Sequence, residues 1–114
     1  MRIDIYNEES LVIIKLIGRY DIEEVYDFGT LLQDQINKDF EVIALNLSEL
    51  SYIDSSGIGS LIRCMNTASR KGIDFICYNL NQNIENTFKL AKIDQFISIF
   101  TEETFKEKYI NSFN

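Results

Sequence analysis

Apolar positions in this chain change period several times, from alternating or continuous short blocks to a spacing of three and four and back again. Residues 2–6 and 11–17 read as two strands joined by the polar turn Asn7-Glu8-Glu9-Ser10, a hairpin. The second block, LVIIKLI, carries Val12, Ile14 and Leu16 on one face and Leu11, Ile13 and Ile17 on the other, broken only by Lys15. Both of its faces are therefore expected to be covered. After Gly18-Arg19-Tyr20, Asp21 with Glu24 three residues on resembles a reciprocal capping box, with Asp in place of Ser or Thr. The helix it opens bears an amphipathic stripe, Ile22, Val25, Phe28, Leu32 and Ile36, and ends at Asn37-Lys38-Asp39.

The run Val42–Leu47 is apolar except for Asn46, as a central strand buried on both faces requires. A polar turn over 48–56 is expected next, then a second helix with Ile58, Leu61, Ile62, Met65 and Ala68 on one face. Arg70-Lys71-Gly72 closes that helix, with cations near its carboxyl end and glycine for a left-handed cap. Ile73–Tyr78 reads as a strand. Asn81 or Asn83 starts a helix carrying Ile84, Thr87, Phe88 and Ala91. Phe96–Phe100 is a short last strand, and Thr101 caps a final helix bearing Phe105 and Tyr109. The order β-β-α-β-α-β-α-β-α predicts an α/β fold, with a mostly parallel central sheet and an antiparallel N-terminal hairpin.

Composition narrows the chemistry. At 114 residues, 46% hydrophobic and 25% charged, one soluble domain spanning 1–114 is expected. No apolar run approaches the roughly 20 residues that span a bilayer, and the start, MRIDIYNEES, lacks a secretory h-region, so the expectation is cytoplasmic. A net charge of −7 argues against nucleic acid or an anionic membrane as a direct partner. Cys64 and Cys77 form no CxxC pair and read as reduced packing residues. No histidine is present, which removes the usual general base, the commonest metal ligand and every Ser-His or Cys-His pairing. No enzymatic activity, metal or cofactor is expected.

The most informative segment is VIALNLSELSYIDSSGIGSL, Val42–Leu61. It places Ser55 and Ser56 beside the carboxylate of Asp54 at a helix N-terminus, where unpaired N–H groups and the positive end of the helix dipole favour added negative charge. The bland alternative is an ordinary N-cap followed by a glycine that permits a tight start. Two details weigh against it. Gly57 and Gly59 sit at the helix start, where each is unfavourable by up to about 1 kcal/mol relative to Ala, leaving room for another chain to approach the backbone. Two serines also stand where one cap suffices. A catalytic serine lacks both the G-x-S-x-G elbow and a histidine base, leaving only Lys71 or Asp54 to activate it, and no G-x-x-x-x-G-K-[ST] phosphate loop is present.

These residues resemble a known family. GRYD at Gly18–Asp21 is similar to the G-x-[LIF]-D start of the first helix of the STAS domain, the fold of sulphate transporter tails and anti-sigma factor antagonists. LNLSELSYIDSSGIGSL at Leu45–Leu61 is similar to its core motif, above all in bacterial anti-anti-sigma factors, and the resemblance runs from about Ile3 to Tyr109. It implies a single STAS-like domain in which Ser56 accepts a phosphate and Asp21, Asp54, Ser55, Ser56, Gly57, Ile58 and Gly59 form the partner-binding surface. It further implies an anti-sigma factor with serine kinase activity as one partner and a PP2C-type phosphatase as another. The unphosphorylated chain would bind the anti-sigma factor and release a sigma factor. Ser55 is read as a cap or lining residue, and the face made by Asp21, Glu23, Glu24 and the helix from Ile58 as the docking surface. Asn46 replaces a common Asp while preserving a short polar strand end, and Lys92 replaces a common Gly, so that loop is expected to differ. The competing reading is a non-switching STAS scaffold, or an accessory subunit of a signalling or lipid-transport complex.

Overall fold

The computed structural model describes residues 1–110. Five strands, β1 (Arg2–Glu8), β2 (Leu11–Tyr20), β3 (Val42–Ile53), β4 (Asp74–Tyr78) and β5 (Ser98–Phe100), form one sheet in sequence order. The β1–β2 pair is antiparallel and every other pair parallel. Helices α1 (Ile22–Ile36), α2 (Ser55–Arg70), α3 (Gln82–Leu90) and α4 (Glu102–Phe105) follow β2, β3, β4 and β5 in turn, as the change of period predicts. The hairpin turn is tighter than the four polar residues suggested. β1 runs to Glu8, which pairs with Leu11, and Glu9 takes a left-handed φ of 53°.

Both faces of the sheet are covered because the strands are apolar on both. On one face Val12, Ile14, Leu16, Ile43, Leu45, Leu47, Phe75 and Cys77 meet Phe28, Leu32 and Ile36 of α1, Leu61 and Ala68 of α2, and Ile84 and Phe88 of α3. On the other, Leu11, Val42, Ala44, Ile76 and Tyr78 are closed by Phe105 and Tyr109 from the C-terminal helical turns. There the Tyr78 and Phe105 rings stack with centroids 3.9 Å apart. Each large side chain buried in this way contributes roughly 1.5–3 kcal/mol. Cys77 is buried and Cys64 half-buried, both as free thiols. No helix among the described residues is long and apolar enough to cross a membrane.

The turn expected over 48–56 is instead the second half of a twelve-residue strand, β3. Asn46 is thus not a strand end but sits mid-strand, beside a bulge. Lys15 pairs with Asn46 but Ile17 with Glu49, and a second shift falls between Gly18 and Arg19. Asn46 Oδ1 accepts from the Ser48 amide at 3.1 Å, satisfying a donor that the bulge frees. Asn81 holds the same stretch from the other side. Its Nδ2 donates to the Leu50 carbonyl at 2.7 Å and to that of Ser48 at 3.3 Å, while its Oδ1 caps α3 through the Ile84 amide. Asn81→Ala removes the cap and orphans carbonyls together, so urea unfolding is expected to show a loss of about 2 kcal/mol.

Three further expectations need correction. No reciprocal capping box forms on α1: Asp21 accepts from the Glu23 amide, while Glu24 pairs with the N-terminal ammonium at 3.3 Å, a partner the local pattern does not reveal. Ile22, placed in the apolar stripe, is 70% exposed because the first turn of α1 projects beyond the core. The loop at Lys92 keeps the geometry glycine would give it, with Lys92 at φ 58° in the left-handed region.

Candidate functional site

β2 and β3 run parallel and end side by side, with Tyr20 in register with Ile53. The helices that follow them, α1 and α2, therefore begin next to one another at the carboxyl edge of the sheet. One side chain joins the two starts. Asp54, extended at φ −98° and ψ −178°, caps α2 by accepting from the Gly57 amide at 2.9 Å through Oδ1. Its Oδ2 accepts from the Ile22 amide, the first of α1, at 3.3 Å. Asp21 accepts from the Glu23 amide at 3.1 Å, and its other oxygen lies 3.9 Å from Arg19 Nε. Two carboxylates thus occupy amides of adjacent helix N-termini, where the dipoles favour them.

Ser55 and Ser56 are the first and second residues of α2. Ser55 is exposed and Ser56 half-buried. Within the described residues neither hydroxyl has a hydrogen-bond partner, so Ser55 is not the cap; Asp54 holds that position. Ile58 is half-buried and packs against the core, and Gly59 is partly exposed. The two glycines differ. A Cβ on Gly59 would meet only the tip of Arg63, at 3.4 Å, so the helix start is open there. A Cβ on Gly57 would lie 2.6 Å from the Tyr20 ring and 2.8 Å from both Ile53 Cγ1 and the Tyr20 carbonyl oxygen. At Gly57 the close approach is made by this chain's own strands rather than left free.

Tyr20 and Ser60 belong to the site's foundation and escaped the sequence reading, which stopped at Asp21 in GRYD. Tyr20 is fully buried and packs edge-on against Phe28 with ring centroids 5.0 Å apart. Its hydroxyl donates to buried Ser60 Oγ at 2.8 Å, pinning α2 to the end of β2. Burial pushes the phenol up to about 12, only partly offset by the Ser60 hydrogen bond, so it remains a donor at neutral pH.

Around the two serines lies a surface of mixed character. Ile22 and Tyr26 project from α1 and are 70% and 81% exposed. Tyr52 carries the Arg19 guanidinium 4.1 Å above its ring. A shallow groove between α1 and α2 is lined by Tyr26, Gly29, Ser60, Arg63 and Cys64. Of the docking face read from sequence, Asp21, Glu23 and α2 are brought together, while Glu24 is engaged by the N-terminus. No group of His, Cys, Asp or Glu among the described residues is arranged to hold a metal ion. What the arrangement offers is an unengaged hydroxyl at the positive end of a sixteen-residue helix, beside the capping carboxylate of Asp54.

Known proteins share this architecture. The STAS domain family matches residues 2–106. A Thermotoga maritima protein provisionally named an anti-sigma factor antagonist is 26% identical over 93 residues, covering 81% of this chain and 82% of its own. Among solved structures, the unphosphorylated form of the anti-sigma factor antagonist SpoIIAA superimposes with a TM-score of 0.79 at 20% identity, covering 96% of this chain and 97% of that one. The phosphorylated form of SpoIIAA, a Bacillus cell fate determinant, gives a TM-score of 0.71 at 21% identity, over 94% and 98% of the two chains.

Proposed function

The chain belongs to the STAS domain family, and on that premise we propose that residues 1–114 form an anti-sigma factor antagonist acting in the cytoplasm as a switchable binding protein, not an enzyme. Unphosphorylated, it binds an anti-sigma factor that is also a serine kinase, so that a sigma factor is set free. Phosphorylation of Ser56 ends the complex, and a PP2C-type phosphatase restores it. The observation that carries this reading is the unengaged Ser56 hydroxyl on the first turn of α2, beside the capping carboxylate of Asp54. Shared topology with a protein solved in unphosphorylated and phosphorylated forms supports it.

The decisive experiment mixes the purified chain with its anti-sigma factor kinase, adds ATP, and follows both mass and complex. One phosphate on Ser56, located by fragmentation, with loss of the complex on the same time course, is the expected result. A phosphate elsewhere, or a complex that survives full modification, overturns the reading.

Docking needs an anchor as well as a switch. Ile22 and Tyr26 stand apolar in water next to the carboxylate pair, the composition of an interface centre. Tyr26→Ala is expected to weaken anti-sigma factor binding by about tenfold or more while leaving the unfolding midpoint unchanged, because the ring makes little contact within the fold. Isothermal titration beside a thermal melt checks both halves.

A further inference from the structure

The sheet has two edges that differ in kind. β5 is a blunt edge of three residues, whereas β1 presents seven residues with no register shift against β2. No proline interrupts it, since the chain has none. Such an edge is a row of unpaired backbone donors and acceptors, and monomeric proteins disrupt it with bulges, prolines or a covering element. Among the described residues no bulge, proline or covering element lies along β1; its charged side chains, Arg2, Asp4 and Glu8, are of both signs, and Ile5 and Tyr6 stand 44% and 58% exposed.

We infer that β1 is a self-association edge, pairing antiparallel with β1 of a second copy across a two-fold axis to join two sheets into one. The side chains select both the occupant and the register. For a two-fold axis normal to the sheet, residues facing each other share a face, so the two residue numbers of each pair add to an even total. Centring the pair on Asp4 sets that carboxylate against its own copy, and centring it on Tyr6 sets Asp4 against Glu8. Centring it on Ile3 sets Arg2 against Asp4 but pairs only residues 1–5, whereas centring it on Ile5 pairs all seven residues of β1 without a like-charge contact: Arg2 faces Glu8 at both ends, Asp4 faces the Tyr6 side chain, Ile3 faces Asn7, and Ile5 stacks on its copy. Opposite charges placed directly across strands are favourable and like charges unfavourable. The existing contacts of these side chains, Arg2 with Asp4 at 3.4 Å and the Tyr6 hydroxyl with Glu8 at 3.2 Å, are exposed and exchange easily. Ile5 and Ile3 lie on the same face as Ile14 and Leu16, their partners on β2, so the joined edge extends the main apolar layer. β2 separates β1 from β3, whose end carries the Ser56 junction, so association leaves that junction open.

Sedimentation equilibrium of the full chain, from low to high micromolar concentration, tests this. A reversible monomer–dimer equilibrium is expected. Ile5→Lys abolishes it by setting two ammonium groups against each other. Arg2→Glu weakens it about tenfold, and the exchange Arg2→Glu with Glu8→Arg restores it. Circular dichroism and melting confirm that each variant is folded, which the exposure of these side chains favours. A chain that stays monomeric throughout overturns the inference. So does a dimer indifferent to Ile5→Lys, or an Arg2→Glu loss that the exchange fails to recover. None of these outcomes bears on the Ser56 switch, because its assay reads a different edge of the sheet.

Discussion

Gly57→Ala is expected to destabilise the fold by about 3 kcal/mol, lowering the thermal midpoint by roughly 10 °C, although alanine is the better helix former. The added methyl would sit 2.6 Å from the Tyr20 ring and 2.8 Å from a backbone oxygen that cannot rotate away. Relief demands that the start of α2 lift off the ends of β2 and β3. That movement stretches the Tyr20–Ser60 hydrogen bond and the Asp54 cap together. Gly59→Ala is the internal control. Its methyl would meet only the flexible end of Arg63, so helix propensity dominates and a gain of up to about 1 kcal/mol is expected. Opposite signs two residues apart would show that Gly57 is held by packing rather than by the need for an open surface. Urea denaturation of both variants measures this, and equal shifts in one direction would refute it.

The elements were legible wherever one period ruled a segment. β2, α2 and α3 follow directly from their apolar spacing, and Asp54 followed by two serines and a glycine marks the junction from sequence alone. β3 was cut short for a physical reason. Its buried residues beyond Leu47 are Leu50 and Ile53, three apart, because two register shifts insert extra residues against β2. A bulged strand loses the alternation by which strands are recognised. The long-range partners were beyond reach for another reason. Local pattern cannot show that Glu24 finds the N-terminal ammonium rather than its own helix start, or that Asp54 reaches the first amide of α1. Nor can it show that Gly57 is small because Tyr20, thirty-seven residues earlier, lies against it. Each depends on which strands become neighbours.

Ser56→Asp is expected to weaken anti-sigma factor binding at least tenfold, phosphorylation at Ser56 about a hundredfold or more, and Ser56→Ala hardly at all. A phosphoserine adds roughly 1.5 to 2 negative charges at neutral pH. At a helix N-terminus that charge is favourable by about 0.3–1 kcal/mol, so the domain stays folded. Two of the local amides, however, are already committed. Asp54 accepts from Gly57 through one oxygen and from Ile22 through the other, so the new phosphate finds those donors occupied and has only the first amides of α2, Ser55 and Ser56, to turn to, with its remaining oxygens facing outward. There it joins Asp54 and Asp21 as a third anionic group facing any docked surface, and burying it without a matching cation costs several kcal/mol. Since about 1.4 kcal/mol is tenfold in affinity, release requires no change of fold. Isothermal titration of the three forms against one anti-sigma factor, with unfolding curves run in parallel, separates loss of binding from loss of structure. Ser55→Ala, which leaves Ser56 intact, should still be modified and released. If the Ala and Asp variants of Ser56 bind equally well, electrostatic eviction is wrong and the junction serves a constitutive scaffold instead.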